Sequence, residues 1–320
     1  MRLVLAIGGG GDIVSAAVLA VKLGAEAGLL PWERYVVDPE PGPLLRKDFL
    51  GAEGDNPLFL IGPDARAVRR GRIITPQGAC VSSVLGRRVY AISPDAPPSL
   101  VAEALTSRFD KIIGVDVGGD VLACGCEPEL HSPLADSYSL AVLKRAEDLG
   151  VDVEVAVVGL GADGELGRDY LVSRVSTILA NGGFLGYYAL DPSDSGILAE
   201  LASKCVTEAS RNILRALRGE FGEVAIRGGS RSAYIDVFTP IFLRFKPSAV
   251  ISINEIAALI YKHDWDILKA ALELRKMGYT TEYDFEKYVA EGLPPSEALA
   301  RAKAERSCTC NSPGARYEGR

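Results

Sequence analysis

The chain predicts an α/β fold, a mostly parallel sheet with helices on both faces. Three observations carry that expectation. Short apolar runs of strand length end in glycine or aspartate. Segments with helical spacing follow them. The alternation repeats through the first two thirds of the chain. Ligands on such sheets sit beyond the carboxyl ends of the strands, so the loops at those ends matter most.

Arg2–Ile7 is an apolar run too short for a helix and reads as a buried strand. Asp12 is placed to cap the helix that follows, which Gly24 ends. Tyr35–Val37, Leu58–Ile61 and Val89–Ile92 are the next expected strands. Ser99 caps an expected helix through Phe109, and Lys111–Val115 is a strand. Asp136–Leu149 is helical, Val153–Val158 a valine-rich strand, Leu166–Ala180 a helix and Phe184–Ala189 a strand. From Ile197 to Leu217 the spacing is helical, with Gly219 as a stop. Tyr234–Val237 and Ala249–Ile253 look like short strands. Ala257–Met277 is helical with a break around His263–Trp265, and Tyr283–Glu291 and Ser296–Arg306 are the last helices. One domain is expected over residues 1–306, its helical C-terminal part from about 254. A disordered tail follows over 307–320.

With 320 residues, 48% of them hydrophobic, the chain can bury a full core. The formal net charge of −7 and the lack of a long basic run argue against nucleic acid and a membrane surface as partners. No apolar run reaches the ~18 residues of a membrane span. Leu3–Ile7 is too short for the core of a signal peptide, so a cytoplasmic protein is expected. A homo-oligomer is compatible with this composition. Gln77 is the only glutamine, a depletion that fits a thermophile and also a GC-rich genome. Four of the six cysteines form two C-x-C pairs, Cys124/Cys126 and Cys308/Cys310. That spacing is a poor zinc signature, a disulfide is conceivable in a hyperthermophile, and the leading expectation is buried or incidental thiols.

Five loops carry candidate chemistry. Gly8-Gly9-Gly10-Gly11-Asp12 follows the first strand. Its glycines allow close backbone approach, while Asp12 suits a metal, a hydroxyl, an amine or a helix cap. Asp116 and Asp120 flank a Gly-Gly at the end of a strand, where buried carboxylates need a partner such as Mg²⁺ or substrate. A hydrogen-bonded aspartate turn is the alternative without a ligand, and the functional reading is favoured because location and charge agree. His131 is one of two histidines and a candidate acid–base group, with Asp136 nearby as an expected cap. Gly159, Gly161 and Gly164 complete G-x-G-x-x-G, but Asp163 and Glu165 put negative charge where a pyrophosphate would sit. NAD is therefore the lesser cofactor candidate. Arg227 and Arg231 surround a Gly-Gly and suit a phosphate or carboxylate clamp, or a solvated turn.

The ordered series strand-GGGGD-helix, GVDVGGD, SPLADSYSLAVL and GLGADGEL resembles the DUF1152 family. The resemblance spans Leu3 to the Arg227 loop and extends toward the C-terminal helices. It implies an archaeal origin and a Rossmann-like three-layer fold, and it implies no reaction. The CGC segment after Asp120 and the cysteine-bearing tail depart from the family pattern.

The leading expectation is an enzyme acting on a nucleotide or other phosphorylated metabolite with Mg²⁺. Asp12, Asp116 and Asp120 would hold the metal, the two glycine loops would cradle phosphate, and Arg227 and Arg231 would neutralise it. Two alternatives stand beside it. One is a metal-free lyase or cyclase of a small amino or hydroxy acid. The other is a non-catalytic sensor of a nucleotide or metabolite.

Overall fold

The structure is a computed structural model, which describes residues 1–226, 229 and 231–311. The strands are β1 (Arg2–Ala6), β2 (Glu26–Leu29), β3 (Phe49–Leu50), β4 (Leu58–Ile61), β5 (Arg66–Arg69), β6 (Arg72–Ile74) and β7 (Val89–Ile92). They continue as β8 (Lys111–Val117), β9 (Asp152–Val158), β10 (Phe184–Ala189), β11 (Gly222–Ile226), β12 (Arg231–Ile235) and β13 (Ile241–Phe245). The first seven helices are α1 (Ile13–Leu23), α2 (Gln77–Leu85), α3 (Pro98–Thr106), α4 (Pro133–Asp148), α5 (Arg168–Ala180), α6 (Ser195–Lys204) and α7 (Ala209–Leu217). The remainder are α8 (Pro247–Ile251), α9 (Glu255–His263), α10 (Ile267–Lys276), α11 (Glu282–Ala290) and α12 (Pro295–Ala304).

The main sheet has eight strands in the order β10-β13-β9-β8-β1-β2-β7-β4. The five central strands, from β9 to β7, pair in parallel. β13 and β4 run opposite to the other six strands. The α/β class with a mostly parallel sheet is thus as expected. β8 and β9 are buried along almost their whole length, which explains why they are rich in Val and Ile. Alternate residues of β1 enter opposite cores: Leu3 and Leu5 pack with α3, α4, α9 and α10, whereas Val4 and Ala6 pack with α1, α2 and α6. The sheet is therefore the middle layer of a sandwich.

Chain order runs outward from β1 to β2 on one side and from β8 to β9 on the other. β1 and β8 are the adjacent strands where this direction reverses, and the crevice beyond their carboxyl ends is the usual ligand position in such sheets. A β-hairpin of β11 and β12 lies outside the main sheet, as does the small sheet β3-β5-β6. No helix among the described residues is long and apolar enough to cross a membrane.

Several local expectations are corrected. Tyr35–Val37 is a turn, and the second strand is instead Glu26–Leu29. Ala249–Ile253 is largely the helix α8, which starts at Pro247, where proline's missing N–H costs nothing. The single helix expected over Ile197–Leu217 is two, α6 and α7. Ser99 lies inside α3 rather than capping it. The break expected at His263–Trp265 separates α9 from α10.

The cysteines also depart from expectation. All six are paired: Cys80 with Cys205, Cys124 with Cys310 and Cys126 with Cys308. The start of the expected tail is tied down accordingly. Ser307 donates its N–H to the Gly278 carbonyl at 2.9 Å, directly before the two bridged cysteines.

Candidate functional site

Three loops leave the carboxyl ends of adjacent strands β1, β8 and β9 and meet over one cavity of about 720 Å³. The loop after β1 brings Gly8–Asp12, the loop after β8 brings Asp120, and the loop after β9 brings Asp163 and Glu165. Asp116 and Val117 enter from the end of β8 itself. The start of α4 supplies His131, Ser132 and Asp136, and α11 closes the cavity with Glu282, Phe285 and Glu286. Trp32, Glu33, Arg34 and Tyr35 line it from the segment after β2.

The cavity is dominated by carboxylates, and they are grouped. One oxygen each from Asp12, Asp116 and Asp136 lies within 4.8 Å of the others. The same holds for Asp120, Asp163 and Glu165. Asp116 and Asp136 are 2% exposed and Asp120 and Glu165 6%, so these charges are withdrawn from water. Burial of unpaired charge is costly, and the structure leaves it incompletely answered. Asp120 Oδ1 and Asp136 Oδ1 are buried and have no hydrogen-bond partner among the described residues.

Proton affinity records the strain. Burial pushes Asp116 up to about 7, and the nearby Glu165 charge adds to it. Burial and Glu165 likewise raise Asp163 to about 7. Asp12, Asp120 and Asp136 are raised well above the usual carboxylate range, first by burial and then by one another's charge and that of their neighbours. A cation placed among such groups replaces the missing water and reverses the penalty.

Two glycines make the close approach feasible. A Cβ at Gly8 would lie 2.5 Å from Asp12 Oδ2 and 2.9 Å from Asp136 Oδ1. A Cβ at Gly118 would lie 2.6 Å from Asp163 Cγ, and its φ of +127° is a conformation that favours glycine. The carboxylates thus pack directly on bare backbone.

The expected caps are not caps. Asp12 has helical backbone angles and makes no capping hydrogen bond to α1; its Oδ2 accepts the N–H of Val117 at 3.2 Å. Asp136 lies in the first turn of α4, facing the cavity, and the N–H groups of Leu134 and Ala135 donate to Glu282 instead. Both aspartates are thereby left for the cavity.

Of the sequence candidates, Gly8, Gly9, Gly10, Gly11, Asp12, Asp116, Asp120, His131, Asp163, Glu165 and Arg231 line the cavity. Gly159, Gly161 and Gly164 do not: Gly161 N–H already donates to the Gly118 carbonyl at 2.7 Å, and Gly164 N–H to the Gly161 carbonyl. These glycines shape the turn that presents Asp163 and Glu165. Arg227 lies outside the described residues. Arg231 donates to Glu165 Oε1 at 3.2 Å, so its charge is partly committed. His131 Nδ1 stands 3.7 Å from Glu165 Oε2, and burial lowers the affinity of the imidazole for a proton.

Sequence reasoning missed Glu33, Glu282 and Glu286. Glu33 Oε1 accepts the Gln77 N–H at 2.8 Å, while Oε2 has no partner among the described residues. Burial raises Glu33 to about 7. Glu286 accepts from the Trp32 indole and from the Gly42 N–H, yet burial still raises it to about 8. No local pattern separates these glutamates from the solvated acids common on helices.

No curated protein and no solved structure matches the chain. The model of one family, described as a protein of unknown function (DUF1152), matches residues 3–290, which include every part of the cavity wall except Pro295, Ser296 and Leu299. The chain belongs to the DUF1152 family.

Proposed function

We propose that the cavity binds divalent cations, with Mg²⁺ as the first candidate, and acts on a nucleotide or another phosphorylated small metabolite. One observation carries the reading. Two sets of three carboxylates face a single cavity, and in each set one buried aspartate oxygen has no partner among the described residues. Hard oxygen donors of this kind suit Mg²⁺ or Mn²⁺. A phosphate entering the cavity without a cation would meet mainly negative charge; with cations it is bridged to the protein.

The chain's own groups then have definite work. Asp12, Asp116 and Asp136 form one cation seat, and Asp120, Asp163 and Glu165 the second. A bound cation would polarise a phosphoryl oxygen and acidify a water. His131, neutral and beside Glu165, is placed to take or return a proton. Trp32, Tyr35 and Phe285 offer the apolar wall that a base or other organic moiety needs.

Thermal shift and calorimetry test the reading with Mg²⁺ and Mn²⁺ alone, then with a panel of nucleotides and sugar phosphates. The expected result is stabilisation by the cation and a further increment from a phosphorylated ligand only when the cation is present. A folded chain indifferent to every cation sinks it. Turnover of the bound ligand, followed by mass spectrometry, separates an enzyme from a sensor. A metal-free site for an amino acid is less favoured, because Arg231 and Arg34 already face Glu165 and Glu208.

A further inference from the structure

We propose that Cys124, Cys126, Cys308 and Cys310, when reduced, form a tetrathiolate zinc site, the metal-bearing alternative to the two disulfides that join them. Two C-x-C segments more than half the chain apart converge here, one after the Asp120–Leu122 turn and one after α12. Each segment meets the other through both of its sulfurs, Cys124 with Cys310 and Cys126 with Cys308, and Gly125 turns the chain between the first pair at a φ of +118°. The sulfurs of Cys124, Cys126 and Cys310 all lie within 4.8 Å of one another, and the fourth is bonded to Cys126. Four sulfurs around zinc at about 2.3 Å stand roughly 3.8 Å apart, a spacing this cluster reaches by small side-chain shifts.

Hydrogen bonds hold the segments in place alongside their S–S bonds. Glu127 accepts the N–H groups of Cys124 and Gly125, the latter at 2.8 Å. Arg306 donates to the carbonyls of Glu127 and Leu130, and Ser307 N–H to the Gly278 carbonyl at 2.9 Å. Cys124 is fully buried, and Ile256 and Tyr279 pack against Gly125. A reduced cluster is therefore held close, and close-set thiolates prefer a soft cation such as zinc.

The conversion balances. Two equivalents of a dithiol reductant break both S–S bonds and leave as cyclic disulfides, transferring four electrons and four protons to the sulfurs. Zinc then displaces the four protons as the Zn–S bonds form. The Cys80–Cys205 pair lies apart from this cluster and serves as a control.

The test uses the whole chain, reduced with a dithiol, freed of reductant anaerobically and titrated with Co²⁺. The expected signal is thiolate-to-cobalt charge-transfer absorption that saturates at one cobalt per chain and is displaced by Zn²⁺. It persists in Cys80→Ser/Cys205→Ser and is lost in Cys308→Ser/Cys310→Ser. Carboxylate-bound cobalt lacks this absorption, so the acidic cavity cannot imitate it. Free thiols without the band, disulfides that resist the dithiol, or a band that survives Cys308→Ser/Cys310→Ser would each overturn the proposal, and none of these bears on the cavity reading.

Discussion

Asp12 Oδ2 accepts the backbone N–H of Val117 at 3.2 Å, tying the turn after β1 to the last residue of β8. The bond crosses the point where the sheet order reverses. It also turns the Asp12 carboxylate away from α1 and toward Asp116 and Asp136. The first carboxylate cluster, proposed above as a cation seat, is therefore built from two strand ends and one helix start.

Asp136→Asn should separate binding from stability. The amide removes a charge beside Asp116 and Asp12 and gains N–H donors toward them. At pH 8, without metal, the variant is expected to be more stable by on the order of 1 kcal/mol. Its Mg²⁺ affinity should fall by at least about 10-fold to 100-fold, the loss seen even for groups one shell further out. Calorimetry with Mg²⁺ and metal-free melting curves check both halves; destabilisation without metal would contradict the repulsion argument.

Gly8→Ala should abolish cation binding while leaving the fold. The added methyl meets both Asp12 and Asp136, so the carboxylates must separate. A stability cost of about 1–3 kcal/mol is expected from such overpacking. Retained Mg²⁺ stabilisation in a thermal-shift assay would show that the two carboxylates do not act together.

The pH dependence has a definite sign. Glu33 and Glu286 are raised to about 7 and about 8 in the folded chain, so the folded state holds their protons more tightly than the unfolded state. Their contribution to stability is complete below the unfolded carboxylate range and is lost as pH rises toward 8. Metal-free melting temperature should therefore decline from about pH 5 to pH 8. Mg²⁺ should act in the opposite sense, binding better as pH rises through about 7, because Asp116 and Asp163 must lose protons first. Parallel melting series with and without Mg²⁺ read both trends; a metal-free curve rising over this range would refute the assignment.

Glu282→Ala should destabilise the chain by about 1–3 kcal/mol, because the N–H groups of Leu134 and Ala135 lose their acceptor in a buried place. Glu282→Gln keeps an acceptor oxygen and should lose less. Denaturant melts of the two variants give the comparison, and equal losses would count against the capping role.

The central strands were legible because parallel strands buried on both faces are predominantly apolar, as in Val153–Val158, where Glu154 is the one charged residue. The aspartates at their ends were legible for the same reason: a charge that directly follows such a run is held near the core. Glu26–Leu29 was not, since Glu-Ala-Gly-Leu has neither the length nor the branched residues of a strand. Tyr35–Val37 has the residues of a strand but forms a turn at the cavity mouth. Asp136 was visible as an acid at a helix start, and only the distant Glu282 shows that the capping role is already taken. Partners more than a hundred residues away leave no trace in local spacing.

The placement of α11 bears on how the protein is made. Every strand of the main sheet has been synthesised by Phe245, whereas Glu282, Phe285 and Glu286 have not yet been added to the chain at that moment. The nascent chain thus carries an open, acid-lined bowl before its cover exists. If the carboxylate clusters are cation seats, that interval would expose both of them before α11 is in place.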